Sequence, residues 1–265
     1  MSDVAVSRPI RLPRISERAA IGTVSISLGV AAWELVARAG LVSPVLLSSP
    51  SAIVAAFGRL LATGELERHL IVSGREFAVG LLLAIVIGLP VSVLAGWNTR
   101  AGWFLQPLVS ALYAAPTVAL FPLIIIFLGI GFWDKVLLVF ISGFLQIFIA
   151  TTAGIRATDR RWVRLALSFK ASQPKLFWSI VLPGAVPYLL LGLRLAVGRC
   201  VVNVVVAEML ASEAGVGYMI AFYGNTFKVA EVFVALISVV VTGVVLNQLL
   251  LMVEHHVGRW RPTVQ

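Results

Sequence analysis

Few residues in this chain are equipped for chemistry, and most of those sit inside apolar runs. Arg194, Arg199, Asn203 and Glu208 fall in or at the end of one such run, Asn247 and Gln248 in another. An ionisable side chain at membrane depth is costly, so it faces the bundle interior or a wet cavity. Arg199 and Asn203 are four residues apart, on one helix face. That spacing suits a solute pathway and suits structural bonding between helices, and both readings are open. Arg194 lies five residues before Arg199, on a roughly opposed face. The structural reading is favoured for it, with its head snorkelling to the inner interface or pairing with a carbonyl. Glu208 comes later, near the outer end of the run. Arg199, Asn203 and Glu208 are the candidate pathway residues.

Catalysis is not expected. The sequence has no Gly-x-x-x-x-Gly-Lys-Ser/Thr loop for nucleotide phosphates. His69 stands alone on the expected outer side, and His255 and His256 are adjacent rather than at helical ligand spacing, so no metal site is expected. Serines occur in the apolar runs, but no His or Asp lies in the expected spans to act as their base. The single Cys200 excludes an intrachain disulfide.

Composition sets the surroundings. Hydrophobic residues make up 60% of 265 positions and charged residues 12%, against about 25% charged in a soluble domain. With a mean hydropathy of +1.00, the fold class is an all-α polytopic membrane protein. The net charge of +9 raises the question of nucleic acid. Its positive residues sit between apolar runs, so the expected contact is membrane lipid and not nucleic acid.

Six spans are expected: Ala19 to about Ala37, Phe77–Ala95, the run Trp103–Phe132, Val136–Ile155, Phe177 or Ile180 to Ala207, and Phe233–Val253. The first is as long as a bilayer is thick and no small-residue cleavage site follows it, so it reads as retained rather than as a signal peptide. Glu34 and Arg38 are spaced to pair near its outer end. Ser49 to Gly64 has the grammar of a short surface helix, with Ser49 as N-cap and Pro50 at N1. Arg75 and Glu76 mark the outer edge of the second span. Pro107, Pro116 and Pro122 interrupt the third run, as plain kinks or as part of a pathway. Gly131–Lys135 reads as an outer turn, and Ser212–Tyr223 as an outer re-entrant or hairpin segment. Of 21 Lys and Arg residues, 13 then fall on the inner side and six outside, with Arg194 and Arg199 inside a span. That asymmetry places both termini in the cytosol. Residues 1–265 read as one domain, with a cytosolic segment 1–18 and a cytosolic loop 156–176.

That loop is the largest polar stretch. Trp162, Leu165, Ala166 and Phe169 recur at i, i+3, i+4 and i+7, one apolar stripe of a helix. Arg160, Arg164 and Ser168 lie on another face. A break is expected between Lys170 and Ser172, with Ser172 offering an N-cap oxygen and Pro174 in the next first turn. Such a helix lies on lipid or docks into a partner's groove.

This segment resembles the coupling loop of the transmembrane subunits of ATP-binding-cassette importers. That motif is Glu-Ala-Ala, three residues, Gly, nine residues, Ile-x-Leu-Pro. Ile180, Leu182 and Pro183 match its end. Its first part falls on Arg164, Leu165, Ala166 and Lys170, of which only Ala166 matches. A left-handed turn at the glycine position costs a lysine about 1 kcal/mol. Leu47–Ser51, Ala114–Leu123, Phe127–Gly131, Leu182–Tyr188, Gly192–Arg194, Ala207–Met209 and Gly215–Tyr218 resemble the nitrate, sulfonate and taurine branch in the same order.

The resemblance implies a type I importer permease with the MetI-like fold, in a bacterial-type cytoplasmic membrane. It implies a second copy of the chain, two ATPase subunits carrying ATP and magnesium, and an extracytoplasmic solute-binding protein. Trp162, Arg164, Leu165, Ala166, Phe169, Lys170, Ala171 and Ser172 would meet the ATPase. The solute would be a small anion such as a sulfonate, taurine, nitrate or an aromatic acid; some relatives carry pyrimidines. A secondary transporter would instead need carboxylates at mid-membrane, where the expected spans lack them. A structural or assembly subunit without transport is the third alternative.

Overall fold

The computed structural model describes residues 15–43 and 45–258. Residues 1–14 of the expected amino-terminal segment, with Arg259 and Arg261, lie outside them. Every regular element among the described residues is helical. The helices are α1 (Ile15–Arg38), α2 (Pro50–Ala62), α3 (Glu65–Trp97), α4 (Thr99–Ala114), α5 (Phe121–Leu128), α6 (Trp133–Arg156), α7 (Arg160–Ser168), α8 (Gln173–Leu176), α9 (Leu182–Leu210), α10 (Val216–Asn225) and α11 (Val229–Gly258).

The core is α6 sandwiched between α3 and α9. Ala84, Ile147 and Ala196 meet in one cluster, and Val139, Cys200 and Val204 in the next. Small residues let the backbones approach, which is how helices associate where lipid is as apolar as leucine. At Gly80 an added Cβ would lie 2.6 Å from Val139 Cβ. Gly80→Ala is therefore expected to lower stability by about 1–3 kcal/mol through overpacking. A lower melting temperature of the purified chain in detergent checks this; an unchanged one would mean α3 can slide away from α6.

Among the described residues, five helices are long and apolar enough to cross a membrane, and a sixth crossing exists if α4 and α5 count as one broken span. That pair bends by 93°. Of the three prolines in this run only Pro116 sits at the break. Pro107 is carried inside α4, and Pro122 lies in the first turn of α5, where no N–H is needed. Residues 173–210 are continuous, passing through a π-helical turn at Phe177–Val181. α2 packs Ile53, Ala56 and Leu60 against Val234 and Ala235 of α11. Ser49 Oγ accepts from Ala52 N–H at 3.3 Å, as the cap grammar predicts. Glu34 pairs with Arg38 and also accepts from Ser51 Oγ at 2.7 Å, tying α1 to α2.

Three sequence expectations are corrected at the end of the bundle that carries α10. The second span does not begin at Phe77: α3 runs from Glu65, so Glu76 lies inside it and is buried. Asp134 and Lys135 are not an exposed turn. They open α6 and are both buried, because each satisfies the other: Lys135 Nζ reaches Asp134 Oδ2 at 3.1 Å and Gly131 O at 2.7 Å. His69 is not isolated; it is buried in α3 and stacks on Tyr218 with ring centroids 5.7 Å apart.

Candidate functional site

The coupling-loop residues form α7 and its exit. Asp159 starts the helix, its Oδ1 accepting from Arg161 N–H at 2.8 Å. Lys170 ends it with φ +55°, the left-handed conformation expected at the motif's glycine position. Lys170 N–H donates to Leu167 O at 2.9 Å and Ala171 N–H to Ala166 O at 3.0 Å. This pair of bonds is the Schellman closure, built here on a lysine. Ser172 then holds the N-cap position of α8 in extended conformation, but its side chain makes no capping bond, contrary to expectation. Pro174 falls in the first turn, as the sequence predicts.

No residue of α7 is buried. Trp162 is 60% exposed and Phe169 79%, with Leu165 beside them and Ala166 half-buried. Arg160, Arg161 and Arg164 are exposed around the stripe. Helix α7 thus presents an apolar face that this chain does not cover. Arg156, at the head of the loop, reaches back into the bundle. Its guanidinium donates to Gln106 Oε1 of α4 at 2.6 Å and to Ala95 O of α3 at 3.3 Å. The root of the coupling segment is thereby fixed to the helix that leads into the broken span.

That broken span lines a polar cavity. A volume of about 240 Å³ is walled by Tyr113, Pro116, Thr117, Gln146, Arg199 and Asn203, among others. It adjoins a second of about 630 Å³, which shares Tyr113, Gln146 and Arg199 and adds Arg194 and Asn247. Arg199 is exposed here, and among the described residues no group pairs with it. Asn203 lines the cavity and is also anchored, its Nδ2 donating to Ser142 Oγ at 2.7 Å. Asn203 thus faces the cavity and bonds between helices at once. Arg194 is held by Asn247, Nε to Oδ1 at 3.0 Å, which fits its structural reading. Tyr113 and Thr117, on either side of the 93° bend, and Gln146 of α6 were not legible as wall residues, because α4, α5, α6 and α9 meet around the cavity only in the folded chain.

Glu208 lines neither cavity. It is buried near the α10 end, within a polar cluster that the sequence does not announce. Three successive amides at the start of α10 are each held by the bundle. Gly215 N–H donates to His69 Nδ1 at 2.9 Å, Val216 N–H to Ser73 Oγ at 2.8 Å, and Gly217 N–H to Glu208 Oε2 at 2.7 Å. These are amides a helix start leaves without internal partners. Further along, Tyr223 donates to Glu65 Oε1 at 2.5 Å. Burial first, then that carboxylate, push the Tyr223 hydroxyl above its ordinary range.

Residues 80–260 match the profile of the binding-protein-dependent transport system inner membrane component. The chain belongs to that family. A putative aliphatic sulfonates transport permease protein of Bacillus subtilis is 34% identical over 88% of this chain and 84% of its own. The taurine transport system permease protein of Escherichia coli is 31% identical over 83% and 81%. The fold is that of a chain of the MetNI methionine ABC transporter, with a TM-score of 0.64 over 74% of this chain and 97% of that one, at 15% identity. This protein is thus a multi-pass ABC importer permease of the sulfonate and taurine type. The family settles the choice against a secondary transporter.

Proposed function

We propose that two copies of this chain form the pathway of an ATP-driven importer for a small anion, with a sulfonate as the first candidate. The observation that carries this reading is Arg199, a guanidinium without a partner among the described residues, at the junction of the two cavities. A cation in a low-dielectric wall attracts an anion and repels cations. Thr117, Tyr113 and Gln146 add hydroxyl and amide groups for the oxygens of such a solute. The sulfonate and taurine relatives support the same chemistry.

The α7 stripe docks into a groove of a separate ATPase subunit, which binds ATP and magnesium. Closure of the two ATPases draws the α7 helices together, and Arg156 passes the movement to α4. The α10 end faces outward and meets a solute-binding protein. Both termini are cytosolic. Reporter fusions after Glu213 are expected to read outside and those after Lys170 inside. An outside reading at Lys170 would overturn the orientation, since α7 would then face away from ATP.

The function itself is tested by reconstitution. The chain, its ATPase and its binding protein in liposomes should take up labelled alkanesulfonate or taurine only with ATP inside. Uptake of a neutral pyrimidine with no uptake of any anion would overturn the anion reading.

A further inference from the structure

Helix α4 carries a polar stripe that a helix bathed only in lipid would not carry. Gln106, Ser110 and Tyr113 recur at i, i+4 and i+7, on one face. Phe104 and Leu108 lie on the opposite face, 70% and 58% exposed, and suit lipid. The polar stripe lines a cavity of about 280 Å³ between α4 and α6, whose wall ends at Arg156. Tyr113 belongs to this cavity and to both cavities at Arg199. The three cavities thus adjoin along α4, with Arg199 at one end and Arg156, the root of the coupling loop, at the other.

The Arg156 end gathers hydrogen-bond donors. The guanidinium donates to Gln106 Oε1 and Ala95 O, and it has more N–H groups than those two bonds use. Among the described residues no carboxylate pairs with it. Asp159, the nearby acid of the loop, is occupied in capping α7. Gly102 leaves the guanidinium its place, since a Cβ there would collide with it. With Gln106 Oε1 taken by Arg156, the amide NH2 of Gln106 is the group left to donate. Ser110, one turn on, adds a hydroxyl. Val109, Phe148 and Ile149 supply an apolar flank to the same cavity. A fixed cation with neutral donors beside an apolar wall fits a small organic anion, its charged head on the donors and its alkyl part on the wall.

We propose that Gln106, Ser110 and Arg156 form a second anion site, at the inner end of the pathway. It holds the solute after Arg199 has released it and before it enters the cytosol. This site presupposes the anion pathway proposed above, but its charge preference can be read without transport.

Ser110→Cys makes the site readable, because the native Cys200 is buried. In inside-out vesicles holding the assembled importer, the introduced thiol should react with sulfonatoethyl methanethiosulfonate. Relative to a small free thiol, it should do so about tenfold faster than with the trimethylammonium counterpart. Ethanesulfonate should slow the reaction. Leu108→Cys, on the opposite face, should stay unreactive. Gln106→Glu sets a carboxylate of similar size against Arg156 and should remove both the preference and the slowing; Arg156→Gln should do the same, so either variant suffices if the other fails to fold. An unreactive thiol in Ser110→Cys would put the stripe against lipid and overturn the site. So would a charge preference without slowing by ethanesulfonate, or a preference that survives either substitution in a folded chain. Failure of the import reading looks different: slowing by ethanesulfonate, in an importer whose liposomes take up no anion, keeps the site and overturns that reading.

Discussion

Leu165→Asp is expected to abolish ATP-driven uptake while leaving the membrane bundle folded. Leu165 lies in the middle of the α7 stripe, between Trp162 and Phe169, and none of the three is covered by the chain itself. An ATPase groove that receives this face buries a few apolar side chains, each contributing about 1.5–3 kcal/mol. A carboxylate placed there has no partner and costs several kcal/mol, enough to cancel the contact. The bundle is spared because no α7 residue is in its core. Arg160→Ala, off the stripe, should change much less. The measurements are co-purification of the ATPase with each variant and the hydrolysis stimulated by loaded binding protein. Normal assembly together with normal stimulation in Leu165→Asp would put the stripe on lipid and the contact elsewhere.

Helix α7 was readable in the sequence because its signals are local. The stripe repeats within eight residues, Pro174 marks the start of the next helix, and the motif spacing puts the left-handed turn on Lys170, where it is found. The spans were readable for the same reason, as runs of apolar residues. The α10 end was not. His69, Ser73 and Glu76 recur at i, i+4 and i+7 on α3, a periodic face, but their polarity reads as a surface. His69 and Ser73 meet Gly215 and Val216, far away along the chain. A charge marks the edge of a span only when nothing in the bundle answers it. Asp134 and Lys135 answer each other, so their charges mark the inside of the bundle rather than its rim. The cavity lies between these cases. Arg199 and Asn203 share a face by spacing alone, yet the wall opposite them exists only because the chain turns at Pro116.

Arg199→Glu is expected to lose uptake of the anion while ATP hydrolysis stimulated by the binding protein persists. Two losses combine. A hydrogen bond to a charged group contributes about 1.5–3 kcal/mol, which is about 10- to 100-fold in affinity. The new carboxylate then repels an anion at 4 Å by about 4 kcal/mol at an effective dielectric constant of 20. Arg199→Ala, which suffers only the first loss, should reduce uptake less than Arg199→Glu. Two neighbours separate a solute contact from a structural role. Arg194 is already bound to Asn247, so Arg194→Ala should weaken helix packing more than it changes which solute is taken up. Asn203→Ala removes the bond to Ser142 and should lower the melting temperature, which Arg199→Ala should not. The decisive readout is uptake at saturating binding protein, with melting temperature measured on the same preparations. Uptake with unchanged solute preference in Arg199→Glu would make this arginine a lipid-facing or structural group, and the anion would have to be read by other residues of the wall.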